Sequence, residues 1–149
     1  MKFLTLVFVC IAFLSGCSFS TKDATKDIKP IKNKNEIKEI CIYQPETSIL
    51  DYGDAGKVIS NKLDSLNITN KLVTADSLKK CEFSLSYIVK KAGIPPYLAN
   101  AFFVVSKGSE EIGYAKYFYS VSGFTITGER SKGTDEKINE LLSSLFEAN

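Results

Sequence analysis

The segment from residue 81 to residue 90 is the strongest constraint on the fold, because its apolar and polar side chains alternate. Apolar side chains occupy every second position from Cys81 to Val89, and the positions between them are mostly polar. Successive side chains of a β-strand point to opposite faces of a sheet, so this pattern predicts a half-buried strand of an antiparallel sheet. Such a sheet needs other elements to cover its apolar face.

Two neighbouring segments predict a β-hairpin. Residues 101–105 and 112–119 are rich in the β-branched and aromatic side chains that strands favour. They flank residues 106–109, in which Gly108 suits a turn that requires a positive φ. Shorter strands are predicted at residues 39–43 and 71–75, and residues 124–127 would extend the sheet.

Two segments have the apolar period of amphipathic helices, and Thr134 is predicted to cap the second one. The first stripe consists of Ala55, Val58, Ile59, Leu63 and Leu66, and the second of Ile138, Leu141, Leu142, Leu145 and Phe146. One-sided helices and a meander of strands predict an α+β fold. We expect a two-layer sandwich in which both helices cover one face of a mainly antiparallel sheet of about four to six strands.

Aromatic side chains occur on both faces of the predicted hairpin. Tyr114 and Phe118 have one parity, and Tyr117 and Tyr119 have the other, so the helices cannot cover them all. Tyr97, Tyr114 and Tyr117 are therefore candidates for a binding surface. The alternative is that the hairpin tyrosines are ordinary sheet-forming residues with hydrated hydroxyls.

The N-terminus has the layout of a lipoprotein signal peptide. Lys2 precedes an apolar run over residues 3–14, and Ser15 and Gly16 come directly before Cys17. The run is shorter than the roughly 20 residues that a membrane-spanning helix needs. The pattern predicts that residues 1–16 are cleaved and that Cys17 is acylated, which anchors the protein to a membrane. By resemblance to the sorting rule of enteric-type bacteria, Ser18 favours the periplasmic face of the outer membrane, with the inner membrane as the alternative.

The segment that follows Cys17 is polar and rich in lysine, with acidic residues interspersed and Pro30 interrupting any helix. This composition predicts a flexible tether, so that residues 17–38 comprise the acylated cysteine and its linker, and residues 39–149 form a single periplasmic domain. Attraction of the lysines to anionic headgroups is the alternative to a merely solvated linker.

Composition excludes several classes of site. Cys10 leaves with the signal peptide, so that Cys41 and Cys81 remain to form a disulfide in an oxidising compartment, or else stay as two free thiols. The chain has no histidine, which excludes histidine-based nucleophiles and metal sites, and we expect no cofactor or metal. With 19 basic and 17 acidic residues, the chain carries no charge excess that would indicate a nucleic-acid partner.

From Cys81 onward the chain resembles a family of small, uncharacterised proteobacterial lipoproteins. The shared positions are residues 81–87, Tyr97, Leu98, Ala101, Gly108, Ile112, Gly113, Ala115, Tyr117, Thr134, Lys137, Ile138, Leu141 and Leu142. The chain departs from that family because it contains no tryptophan. The resemblance implies a lipid anchor and a shared fold, and it brings no catalytic residues.

These features predict a non-enzymatic outer-membrane lipoprotein that binds an envelope partner or takes part in envelope assembly. A small-ligand binder or inhibitor that recognises its target through residues 94–97 is an alternative. A carboxylate-based hydrolase is a further alternative, with Asp51 and Asp54, or Glu110 and Glu111, as its acid pair. Both acid pairs have a simpler explanation as solvated charges.

Overall fold

The computed structural model describes residues 24–44, 53–93, 96–119 and 132–147. Their elements, in chain order, are β1 (Thr25–Lys29), a 3₁₀ turn (Lys34–Glu36), β2 (Glu39–Tyr43), α1 (Ala55–Ser65), β3 (Thr69–Val73), α2 (Ala75–Leu78), β4 (Phe83–Ala92), β5 (Tyr97–Lys107), β6 (Glu110–Phe118) and α3 (Thr134–Phe146). The predicted signal peptide, Cys17 and the strand predicted at residues 124–127 lie outside the described residues.

The strands form one mixed sheet in the order β1-β6-β5-β4-β2-β3. β1, β6, β5 and β4 are antiparallel neighbours, whereas β2 lies parallel to both β4 and β3. α1 and α3 pack against each other, and their apolar side chains join those of the sheet in one core. The predicted α+β sandwich with both helices on one face is therefore confirmed, and the antiparallel part of its sheet is the larger one.

The alternation along β4 has the predicted consequence. Phe83, Leu85 and Val89 are buried under the helices, and the same face of β5 contributes Phe103 and Val105. The strand begins at Phe83, so that Cys81 lies just ahead of it. In the hairpin between β5 and β6, Gly108 has a φ of 57°, as the turn requires.

Residues 24–38 belong to the folded domain, and the prediction of a tether over all of residues 17–38 is wrong for this part. β1 pairs with β6 along its whole length. Ile31 and Ile37 are 3% and 5% exposed, and the Ile31 amide donates a hydrogen bond to the Leu145 carbonyl at 2.9 Å. The composition is that of a linker because charged residues are common on edge strands, where they discourage pairing with other chains.

Gly113 permits this docking. A Cβ atom at this position would lie 2.6 Å from Cγ1 of Ile31 and 3.0 Å from the Lys29 carbonyl oxygen. Both distances are shorter than ordinary van der Waals contacts. The absence of a side chain on β6 therefore leaves the space in which the segment after β1 packs against α3.

A disulfide joins Cys41 to Cys81, as predicted, with their Cα atoms 6.2 Å apart. β2 is in register with β4 at only two positions, where Cys41 is opposite Ser84 and Ile42 is opposite Leu85. The covalent bond lies at one end of this short parallel contact. It therefore holds together the two strands that join the antiparallel and parallel parts of the sheet.

The carboxylate of Glu140 on α3 lies among three lysines. It accepts hydrogen bonds from Lys132 and, at 2.9 Å, from Lys137, and Lys26 of β1 lies 4.0 Å away. Lys137 is only 1% exposed, so its ammonium depends on this partner. The hydrogen bond from Lys132, followed by that from Lys137, lowers the pKa of Glu140 from 4.5 to about 2, although desolvation opposes this change.

We expect Glu140→Gln to destabilise the domain in a pH-dependent way. Because the pKa of Glu140 is lower in the folded state, its contribution is complete above about pH 4.5 and is lost as the pH falls towards 2. The pKa shift corresponds to about 3 kcal/mol, which exposure of a third of the side chain reduces to about 1 to 2 kcal/mol at pH 7.

Urea unfolding of both proteins between pH 7 and pH 2 measures this difference. Glu136→Gln, one turn earlier on the same helix, is the matched control and should change the free energy of unfolding by less than about 0.5 kcal/mol. A loss that is the same at every pH would contradict a contribution from the ionised carboxylate.

Candidate interaction surface

The three tyrosines predicted to form a binding surface do not lie together. Tyr117 is on the helix-covered face, 3% exposed, with the Lys137 ammonium 5.5 Å from its ring centroid. Its place in the prediction is therefore wrong, because odd-numbered positions of β6 face the helices. Tyr97 is half-buried, and its ring packs edge-on against Tyr119 with centroids 5.6 Å apart. Tyr114 alone lies on the opposite face of the sheet, half-buried.

We call this opposite side, which α1 and α3 leave uncovered, the helix-free face. An apolar patch occupies part of it, formed by Ile88, Phe102, Val104 and Phe118. Ile88 of β4 is directly opposite Phe102 of β5, and Phe118 of β6 is the diagonal neighbour of Phe102. Ile88 and Phe118 are 48% and 55% exposed and lie on either side of Phe102, so the patch exposes two large apolar side chains on one face.

Charged groups divide the patch from the β1 edge of the sheet. The Lys116 ammonium lies 4.3 Å from the ring centroid of Tyr114 and 5.4 Å from that of Phe102, and 3.7 Å from the Asp27 carboxylate. The Tyr114 hydroxyl donates a hydrogen bond to Asp27 at 3.2 Å. Desolvation, followed by the hydrogen bond to Asp27, raises the pKa of Tyr114 above 10.0. The tyrosine therefore stays neutral, and its hydroxyl is already engaged within the sheet.

The chain enters the folded domain beside the apolar patch. Thr25, the first residue of β1, is directly opposite Phe118 in the register of the two strands. The next strand along places Asn100 opposite Phe118, and Lys90 follows on β4. Lys90 is exposed and lies on the same face as Ile88, two positions away. The patch thus has a basic residue at its border and the N-terminal connection at its corner.

The candidate acid pairs do not form an enclosed site. Glu110 and Glu111 begin β6 and are exposed, and Glu111 is ion-paired with Lys29 at 3.4 Å. Asp54 precedes α1 and is exposed, and its proposed partner Asp51 lies outside the described residues. The described residues contain no group of three or more side chains placed to hold a metal ion.

Sequence reasoning identified neither Ile88 nor Phe102 as a surface residue, although a signal was present. Ile88 is the one large apolar residue at a mostly polar parity of β4, and Phe102 and Val104 interrupt the polar parity of β5 between Asn100 and Ser106 in the same way. Only the register of the two strands shows that these exceptions meet. Within the described ranges, no helix is both long and apolar enough to cross a bilayer.

No family model matches the sequence, and a comparison with curated proteins gives no significant match. The fold is similar to that of a PelC dodecamer from Paraburkholderia phytofirmans, with a TM-score of 0.57 and 17% identity over 83% of this chain and 94% of that chain. A substituted variant of that dodecamer has a TM-score of 0.55 and 18% identity, over 83% and 98% of the respective chains. The similarity shows that this chain and PelC share a fold.

Proposed function

We propose that the protein is an outer-membrane lipoprotein, anchored through acyl chains on Cys17, whose periplasmic domain has a non-catalytic role in binding or envelope assembly. The observation that carries this proposal is the apolar patch. Two large apolar side chains, Ile88 and Phe118, are about half-exposed on either side of Phe102, on the sheet face that α1 and α3 leave uncovered. Exposed apolar patches of this kind are typical of contact surfaces.

The proposed location agrees with the cysteine chemistry of the chain. The Leu-Ser-Gly sequence before Cys17 and the polar Ser18 after it favour acylation and transfer to the outer membrane. The disulfide between Cys41 and Cys81 fits an oxidising compartment such as the periplasm. This pairing also leaves Cys17 free for acylation, as the anchor requires.

The proposed absence of catalysis rests on the side chains that the chain offers. Without histidine, the common nucleophile and base combinations cannot be built. Glycoside hydrolysis needs two carboxyl groups that face each other across a substrate. Glu111 instead forms an ion pair with Lys29, and both Glu110 and Glu111 are exposed to solvent.

Self-association is the form of assembly that we propose. The structures with a similar fold are of PelC dodecamers, so this fold is compatible with a multi-subunit assembly. The charged residues of β1 protect one edge of the described sheet, whereas β3, the other edge strand, offers unpaired backbone groups to another chain. Association through the β3 edge would leave the helix-free face open.

Intact mass spectrometry of membrane-extracted protein tests the anchor. We expect a chain that begins at Cys17 and carries acyl groups, because the Leu-Ser-Gly-Cys sequence that ends at Cys17 directs both acylation and cleavage. Cys17→Ala should abolish acylation and retain Met1. Cys10→Ala is the matched control and should give an unchanged mature mass, since this residue is removed. An unmodified N-terminus in the wild-type protein would refute the anchor.

Native mass spectrometry of the lipidated protein, released from detergent micelles, tests self-association. We expect complexes with several copies of the chain and no other protein component. The copy number should not depend on the detergent, because the contacts would be made by the domain rather than by the acyl chains. Single chains under every condition would exclude self-association as the assembly role.

A further inference from the structure

We infer that the helix-free face lies against the bilayer that holds the acyl anchor, with the apolar patch in contact with the headgroup region. This inference rests on the proposed acylation of Cys17. It names the occupant of the patch as a phospholipid surface that contains anionic lipids. The two faces of the sheet then have different contacts, because one face packs against the helices in the core and the other faces the bilayer.

The connection between the anchor and the folded domain is short. β1 begins at Thr25, eight residues after Cys17. A chain of this length spans at most about 28 Å when fully extended. The domain is therefore held near the bilayer, where the high effective concentration makes even a weak surface contact persistent.

The connection joins the domain beside the apolar patch. Thr25 is directly opposite Phe118 across the β1–β6 pair, so the chain leaves the domain at the corner of the patch. Cross-strand neighbours of this kind are about 5 Å apart. A short connection from this corner brings Phe118 closer to the anchor point than any residue of β2 or β3, at the far side of the sheet.

The helix-free face presents both apolar and basic side chains. Phe118 and Ile88 are half-exposed, and the exposed Lys90 lies on the same face. Apolar and aromatic side chains enter the headgroup boundary by about 5 to 10 Å, while lysines extend towards phosphates. A lysine near an anionic surface contributes attraction that falls off within a Debye length. The face therefore combines the two kinds of side chain that bilayer surfaces bind.

The size of the patch favours a bilayer over a second protein. With about 200 Å² for a whole large side chain, the exposed parts of Ile88 and Phe118 total roughly 200 Å². A stable protein interface buries at least about 1,000 Å² in total, or about 500 Å² on each partner. A domain that is already tethered needs much less area, since the anchor supplies most of the affinity.

The test uses the complete lipidated chain in vesicles of phosphatidylethanolamine and phosphatidylglycerol. Because the chain has no tryptophan, Phe118→Trp introduces a single tryptophan, whose emission can be excited selectively over that of the seven tyrosines. We expect vesicles with brominated acyl chains to quench about half of its emission relative to unbrominated vesicles, since a ring inserted by 5 to 10 Å comes close to the bromine atoms. Ile88→Trp is the second reporter, in case the first variant does not fold.

Leu72→Trp is the matched control. Leu72 is 42% exposed but lies at the far edge of the sheet, on the helix-covered side beside Gly56, and its emission should not change. Two results would overturn the inference. One is equal quenching of Leu72→Trp and of the two patch reporters, and the other is the absence of quenching in both patch reporters. Blue-shifted patch emission without quenching would mean that a protein covers the patch, and would also overturn it. Failure of the wild-type chain to float with the vesicles would instead refute the anchor.

Discussion

The packing of Ile31 into the space beside Gly113 determines how the chain enters the domain. This contact holds the segment after β1 between β6 and α3, and the Ile31 amide closes it with a hydrogen bond to the Leu145 carbonyl. Without it, β1 would be held only by its pairing with β6 and by exposed ion pairs. With it, the folded domain begins close to Cys17 and beside Phe118. The proposed orientation at the membrane depends on both consequences.

Two further interactions hold the regions that this contact does not reach. The disulfide joins β2 to the start of β4, where backbone pairing covers only two positions. Glu140 joins α3 to β1 through Lys26, and it compensates the buried ammonium of Lys137. The sheet edge that carries the N-terminal connection is thus fixed by an apolar contact on one side and by ion pairs on the other.

Much of the fold could be predicted from the sequence, because periodicity reports which residues face the core. The alternation of β4, the hairpin and the two apolar helix stripes led directly to the α+β sandwich. The pairing of Cys41 with Cys81 followed once Cys10 and Cys17 had other roles. β1 was missed because its single isoleucine, Ile28, stands among charged residues. The burial of Ile31, just after this strand, depends on a glycine more than eighty residues away. The parallel pairing of β2 is likewise a long-range choice.

The candidate surface was only partly predictable. Residue parity separated Tyr114 from Tyr117, but parity alone does not say which side the helices cover. The apolar patch required the register between β4, β5 and β6, which no local pattern contains. The same register places Phe118 opposite the first residue of β1, so the patch lies beside the connection to the anchor.

The central claim is that the chain is folded from β1 onward, so that only a short connection separates the domain from its anchor. Native-state hydrogen exchange of the Ile31 amide in the mature protein tests this claim most directly. The account predicts an opening free energy within about 1 to 2 kcal/mol of that of the Phe103 amide in the central strand β5. Exchange of the Ile31 amide at the rate of an unstructured peptide would contradict it.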